Sequence, residues 1–193
     1  MITPNHYTQG GHNMIDDIKK VLLSEEEITG LARRLAAEIS QDYEGKKLVV
    51  VGTLKGALPF MCELIKYITL PLELDFMKVS SYGAGTKSSG ELKVLLDLNR
   101  DDLADCDILI VEDIVDSGNT LSKLTNLLRS RGARSVKTAA LLDKPSRRVI
   151  DFQADYVGAI VPDYFVVGFG LDYNEKYRNL PFVGILKEEV YSN

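Results

Sequence analysis

The chain is poor in the patterns that mark several functional classes. It has two cysteines, Cys62 and Cys106, set among helical and strand-flanking residues without metal-ligand spacing. Neither a disulfide framework nor a zinc site is expected; both read as reduced thiols. The two histidines, His6 and His12, fall in a polar, glycine-containing first stretch, where a frayed tail is expected in preference to a metal site. No basic run occurs, and a net charge of −5 at pH 7 argues against a protein that coats nucleic acid. No apolar run approaches the roughly 20 residues needed to span a bilayer. The first residues also lack the charged and apolar regions of a secretory leader. A cytoplasmic protein without membrane partners is therefore expected. Repeats, low-complexity tracts and linkers are missing too. What is left is 193 residues, 45% hydrophobic and 26% charged, which suits one domain with a sizeable core.

The most informative stretch is 108–121, ILIVEDIVDSGNTL. Ile108 to Val111 is an unbroken apolar run, as expected of a central strand covered on both faces. Glu112 and Asp113 follow where that strand would emerge at its carboxyl edge. Asp116, Ser117, Gly118, Asn119 and Thr120 form a small polar loop leading into a helix marked by Leu121, Leu124, Leu127 and Leu128. In an open parallel sheet ligands bind off the carboxyl ends of strands. Small residues at a helix N-terminus present N–H groups to an anion, typically phosphate. The acids must then face something else, and sugar hydroxyls or Mg²⁺ suit them. A phosphorylated sugar fits the whole string.

A second strand, loop and helix unit starts at Leu48. Its strand runs to Val51, its loop is Gly52-Thr53-Leu54-Lys55-Gly56, and its helix spans 57–68. Before it, Ser24 and Glu27 form a capping box for a helix reaching about Ser40. Strands are expected at Leu72–Val79 and Glu91–Leu96. The Gly, Ser and Thr residues between them (80–90) cannot bury a core and read as a mobile loop or hairpin tip. Gly132 ends the helix after Thr120. Further strands follow at 135–142, 156–161 and 181–186, ahead of a polar tail.

The 108–121 string resembles the phosphoribosyl pyrophosphate (PRPP) binding signature of type I phosphoribosyltransferases. Leu54-Lys55-Gly56, Ser81-Tyr82, Lys144 and the run Phe165 through Arg178 match further markers of the purine branch, in family order, over about residues 20–190. The proline after Lys144 departs from some relatives. The resemblance implies an α/β fold: a mostly parallel central sheet flanked by helices, with a small hood. That is a single domain, 1–193, with a flexible tail at 1–13, a mobile active-site loop at 80–90 and a hood at 162–182. It implies transfer of a 5-phosphoribosyl group from PRPP to N9 of hypoxanthine or guanine. Glu112 and Asp113 would hold ribose hydroxyls, and Asp116 to Thr120 the 5′-phosphate. Lys55, Gly56 and Arg178 would meet pyrophosphate, with a cis peptide between Leu54 and Lys55. Lys144, Phe165, Val166, Leu171 and Asp172 would bind the purine. Ser81 and Tyr82 would begin the closing loop. Mg²⁺ is the implied cofactor, held by Glu112, Asp113 and Asp172. Asp116 is the implied general base at N7. Arg147 and Arg148 read as surface residues or as support for their neighbours. A homodimer or homotetramer is implied. Two alternatives stay open: a PRPP-sensing module without catalysis, and an enzyme that prefers xanthine.

Overall fold

The computed structural model describes residues 7–9, 12–81 and 92–192. Along the chain run β1 (Thr8–Gln9), β2 (His12–Asn13), β3 (Ile18–Leu23), α1 (Glu25–Asp42), β4 (Leu48–Thr53), α2 (Leu58–Ile65), β5 (Leu72–Ser81), β6 (Leu92–Leu96) and β7 (Asp107–Val115). Then follow α3 (Asn119–Ser130), β8 (Ser135–Asp143), β9 (Tyr156–Ile160), β10 (Val166–Val167), β11 (Val183–Leu186) and α4 (Glu188–Tyr191).

The main sheet has six strands in the order β6-β5-β4-β7-β8-β9. Only the β5–β6 pair is antiparallel. β4 from Leu48 to Val51 and β7 from Ile108 to Val111 are apolar because both faces are covered. On one face Leu48, Val50, Leu109 and Val111 meet Ile28, Leu35 and Ile39 of α1 and Phe60 and Leu64 of α2. On the other, Val49, Val51, Ile108 and Ile110 meet Leu121, Leu124 and Leu128 of α3. Alternate residues of one strand thus enter different cores, the period of two expected of a pleated strand. α1 starts where the capping box put it: Ser24 Oγ accepts from the Glu27 N–H at 3.2 Å, and Glu27 Oε2 accepts from the Ser24 N–H at 2.8 Å.

A second sheet, β10-β11-β3, is antiparallel and forms the hood with its own small core of Val167, Tyr177, Leu180, Phe182 and Leu186. It joins chain ends that are far apart in sequence. Tyr177 donates its hydroxyl to Asp17 Oδ2 at 2.7 Å, and Lys187 donates its N–H to the Asp17 carbonyl at 2.9 Å.

Three expectations need correction, and one strand has no counterpart among them. The stretch read as a frayed tail pairs in part, Thr8 with Asn13 and Gln9 with His12, and His12 Nε2 lies 2.8 Å from Asp17 Oδ2. α2 runs Leu58–Ile65, short of the 57–68 expected; Lys66 and Tyr67 form a turn and Ile68 lies beyond it. β3 had no alternating pattern to announce it, since its residues IKKVLL form a strand through pairing with β11. The polar tail contains α4. Tyr82 and the rest of the loop through Glu91 lie outside the described residues, as does the side chain of Ser81. No helix among the described residues is long and apolar enough to cross a membrane.

Candidate active site

Sheet order determines where a ligand can bind. β4 connects outward to β5 on one side, while β7 begins the run to β8 and β9 on the other. The crevice off the carboxyl ends of β4 and β7 is therefore the switch point of the sheet, the place where open α/β sheets bind ligands. The loops leaving these two strands are 54–57 and 116–118. A cavity of about 220 Å³ lies there. It is lined by Thr53, Leu54, Gly56, Glu112, Asp116, Ser117, Gly118 and Thr120, among others.

The floor of this cavity is the start of α3. Gly118 is the N-cap and has φ +83°, a left-handed conformation that glycine adopts without strain. The first-turn N–H groups of Asn119, Thr120 and Leu121 have no partner within the helix; Asn119 instead donates to Ser117 Oγ at 3.3 Å. Asn119 itself is not part of the lining.

The acids differ from expectation. Strand β7 runs on to Val115, so Glu112 and Asp113 sit inside the strand and not beyond its edge. Neighbours in a strand point to opposite faces. Glu112 lines the cavity; Asp113 does not. The Asp113 carboxylate lies against the Gly56 α-carbon, where a Cβ would stand 1.7 Å from Oδ2. Gly56 is glycine because Asp113 fills that space. Burial pushes the Glu112 carboxyl up, and the Asp113 charge beside it adds to the effect. Burial raises Asp113 as well, against the opposing pull of hydrogen bonds and of the Arg178 charge.

The loop after β4 carries the cis peptide between Leu54 and Lys55. The hood docks on this loop. Gly170 has φ +99°, and a Cβ there would stand 1.9 Å from the Gly56 carbonyl oxygen. Lys55 Nζ donates to Glu175 Oε2 at 2.8 Å. Arg178 reaches Asp172 Oδ1 at 2.9 Å and donates to the Gly170 carbonyl at 2.8 Å. Its Nε is buried without a partner. Among the described residues, every non-glycine residue with positive φ lies in this segment: Phe169, Asn174, Glu175 and Tyr177. Such strain concentrates at ligand clamps.

A second cavity of about 340 Å³ opens beside the first. It is lined by Lys144, Phe165, Val166, Leu171, Asp172 and Asp116, with Ile114, Arg147, Asp163, Tyr164 and Tyr191. Phe165 is 38% exposed, stacks on Tyr191 at 4.8 Å and meets Tyr173 edge-on at 5.6 Å. Lys144 is buried, which lowers its affinity for a proton, and its N–H donates to the Val115 carbonyl at 2.9 Å. Asp116 and Ile114 line both cavities.

Glu112, Asp113 and Asp172 do not by themselves form a cluster of metal-ligating side chains. Among the described residues no group of three His, Cys, Asp or Glu side chains is placed to hold a metal. Asp172 is engaged by Arg178 and by the Glu175 N–H, and Asp113 is turned toward Gly56. Sequence reasoning passed over Thr53, Asp163 and Tyr191, and gave Arg147 only a surface or supporting place. Only Arg147, next to Lys144-Pro145, had a local signal. Tyr191 had none, because it reaches the cavity through α4.

Residues 20–174 match the phosphoribosyl transferase domain model. The chain belongs to the phosphoribosyltransferase family. It is 56% identical over 180 residues to the hypoxanthine-guanine phosphoribosyltransferase of Bacillus subtilis, covering 93% of this chain and 99% of the relative. The crystal structure of a hypoxanthine phosphoribosyltransferase from Staphylococcus aureus superposes with a TM-score of 0.90 at 51% identity, over 96% of this chain and 100% of that one. A bifunctional protein TilS/HprT of Listeria monocytogenes is 55% identical over 183 residues; the chain spans 28% of that protein's length. The type I phosphoribosyltransferase fold expected from sequence is the one observed.

Proposed function

We propose that this phosphoribosyltransferase transfers the 5-phosphoribosyl group of PRPP to N9 of hypoxanthine or guanine, giving IMP or GMP and pyrophosphate in purine salvage. The observation that carries the reading is the position of Asp116, shared by an anion-cradling cavity and an aromatic cavity with a buried lysine. A ribose 5-phosphate in the first and a purine in the second would meet at that residue.

The roles follow from the chemistry of each wall. The first-turn N–H groups of α3, which have no partner within the helix, hold the 5′-phosphate with Ser117 and Thr120. Glu112 accepts from ribose hydroxyls. Phe165 stacks on the base, while Val166 and Leu171 complete its apolar walls. Lys144 donates to the 6-oxo group; adenine offers a donor there and would leave the buried lysine unpaired. Asp116 takes the proton that the free purine loses at N7 as N9 bonds to ribose.

Lys55 and Arg178 supply positive charge for the departing pyrophosphate. Glu175 already pairs with Lys55, so binding exchanges one carboxylate for another anion. Asp113 stiffens this loop by filling the space beside Gly56.

Mg²⁺ usually takes one or two carboxylates and completes its shell with substrate oxygens and water. Glu112 fits such a role, with PRPP bringing the rest of the shell. Bound there, the ion would neutralise charge on the leaving group.

A homo-oligomer in the cytoplasm completes the reading. Leu74, Leu95 and Leu96, exposed on neighbouring strands β5 and β6, are suited to a subunit contact. A monomer mass by light scattering would reject it.

The test is a spectrophotometric assay with hypoxanthine, guanine or xanthine, each with PRPP and Mg²⁺. Turnover of the first two over xanthine is expected. PRPP binding without turnover of any base would favour a ligand-sensing module instead.

A further inference from the structure

A phosphate cradle has a requirement on its far side. If the loop's N–H groups face the ligand, its carbonyls face away and can be tethered by donors behind the loop. In loop 116–118 the Gly118 carbonyl is taken by the Ser122 N–H of α3, and the other two carbonyls take their donors from Arg148 and Val149. Arg148 Nη1 donates to the Asp116 carbonyl at 2.6 Å. The Val149 N–H donates to the Ser117 carbonyl at 3.1 Å. The face of Gly118 that lacks a side chain is packed by Arg148 Cδ, Phe152 Cβ and Ile150 Cγ1, at 3.0, 3.2 and 3.3 Å from where a Cβ would stand. Arg148 is anchored in turn, its other terminal nitrogen donating to Asp143 Oδ1 at the end of β8. The side chains of Arg148 and Asp143 are 14% and 13% exposed.

We infer that Arg148 is a positioning residue for PRPP: it ties the carbonyl of Asp116 to the carboxylate of Asp143 and so holds the phosphate loop open toward its ligand. It does not line the phosphate cavity. Its guanidinium suits the task because one planar group can donate in two directions at once, whereas an ammonium is a single point donor. The base subsite shares Asp116 with the phosphate cavity, but Lys144 has its own anchor in the N–H bond to the Val115 carbonyl. Loss of Arg148 is therefore expected to fall more heavily on PRPP than on the base.

This inference rests on the proposed phosphoribosyl transfer, and the experiment separates the two. Wild-type protein is assayed first with hypoxanthine, PRPP and Mg²⁺; inactivity there rejects the function itself. With wild type active, R148A is expected to raise KM for PRPP by about 10- to 100-fold, the cost of removing a charged hydrogen-bonding partner. KM for hypoxanthine should stay within about two-fold by the same argument. Millimolar guanidinium chloride should recover part of the loss in R148A. R148K, which keeps the charge and the aliphatic stem and is expected to fold, should show an intermediate rise that guanidinium does not improve. A PRPP KM within two-fold of wild type in R148K and R148A, or equal losses for both substrates, overturns the inference. If R148A is unfolded by circular dichroism, the substrate split in R148K decides.

Discussion

The two cavities share Asp116 but are built by unlike means. The walls of the phosphate cavity come from β4, β7 and α3, elements rooted in the main sheet and covered on both faces. The walls of the base cavity come largely from the hood, a three-stranded sheet whose segment 169–177 holds four non-glycine residues at positive φ. The first is a rigid site whose loops follow from strand order. The second is assembled by contacts between distant parts of the chain, as when Tyr177 closes on Asp17. In the proposed reaction, chemistry takes place where the rigid half meets the assembled half. Perturbations of the two halves should therefore differ in kind.

The largest effect is expected at the residue common to both. Asp116→Asn keeps the size and polarity of the side chain but removes the base. A fall in kcat of about 10²- to 10⁴-fold, with the fold and PRPP binding retained, is expected from loss of a proton acceptor. Near wild-type kcat would remove Asp116 from that role.

Next comes Gly170→Ala, which attacks the docking of the hood. The added Cβ would stand 1.9 Å from the Gly56 carbonyl, at a φ of +99°. A loss of about 2–4 kcal/mol in stability is expected for a clash with backbone at a strained position. If the halves are independent, inorganic phosphate should still protect α3 amides from hydrogen exchange while protection of the hood falls. Uniform loss of protection would show that the rigid half needs the hood to form.

Lys144→Ala should act on the base side. Removing a buried donor to the 6-oxo group is expected to lower kcat/KM for hypoxanthine and guanine together by about 10- to 100-fold. KM for PRPP should change little. An effect confined to PRPP would mean that Lys144 serves the phosphate half.

The same division separates what the sequence made legible from what it did not. The apolar run at Ile108, the capping box at Ser24, the glycine at 132 and the small-residue loop at 116–120 each carry their meaning within a few residues. The elements they announce are the ones observed. The resemblance to phosphoribosyltransferases extended this to the base cavity, because Phe165 through Leu171 are a contiguous string. The main loss was strand length: Glu112 and Asp113 were expected where the strand emerges at its carboxyl edge, and β7 runs on to Val115. β3, α4 and the Asp17–Tyr177 bond were illegible for a related reason: their partners lie about as far away in sequence as the chain allows. Arg148 is illegible at shorter range, with partners 32 and 5 residues away. Its spacing from Asp116 says nothing until the loop has folded over β8.

The smallest effect sharpens the comparison most, because it probes the seam between the halves. Glu175 belongs to the hood and Lys55 to the loop after β4, and their side chains meet at 2.8 Å while remaining 64% and 54% exposed. Exposed pairs contribute little to stability, so Glu175→Gln should leave thermal unfolding unchanged. Its effect should appear in ligand competition. Glu175 is held ionised by hydrogen bonds from Lys55 and Arg178, the cations assigned here to pyrophosphate. An anionic ligand must displace that carboxylate or share its partners, and glutamine competes more weakly. In the reverse reaction, from IMP and pyrophosphate, KM for pyrophosphate should fall by about two- to five-fold in E175Q, the scale of an exposed ion pair. The gain should shrink as salt rises, since the Debye length falls to about 3 Å at 1 M. A rise in KM for pyrophosphate would mean that Glu175 holds Lys55 in its working position. The seam would then be part of the rigid half, not a contact that the ligand replaces.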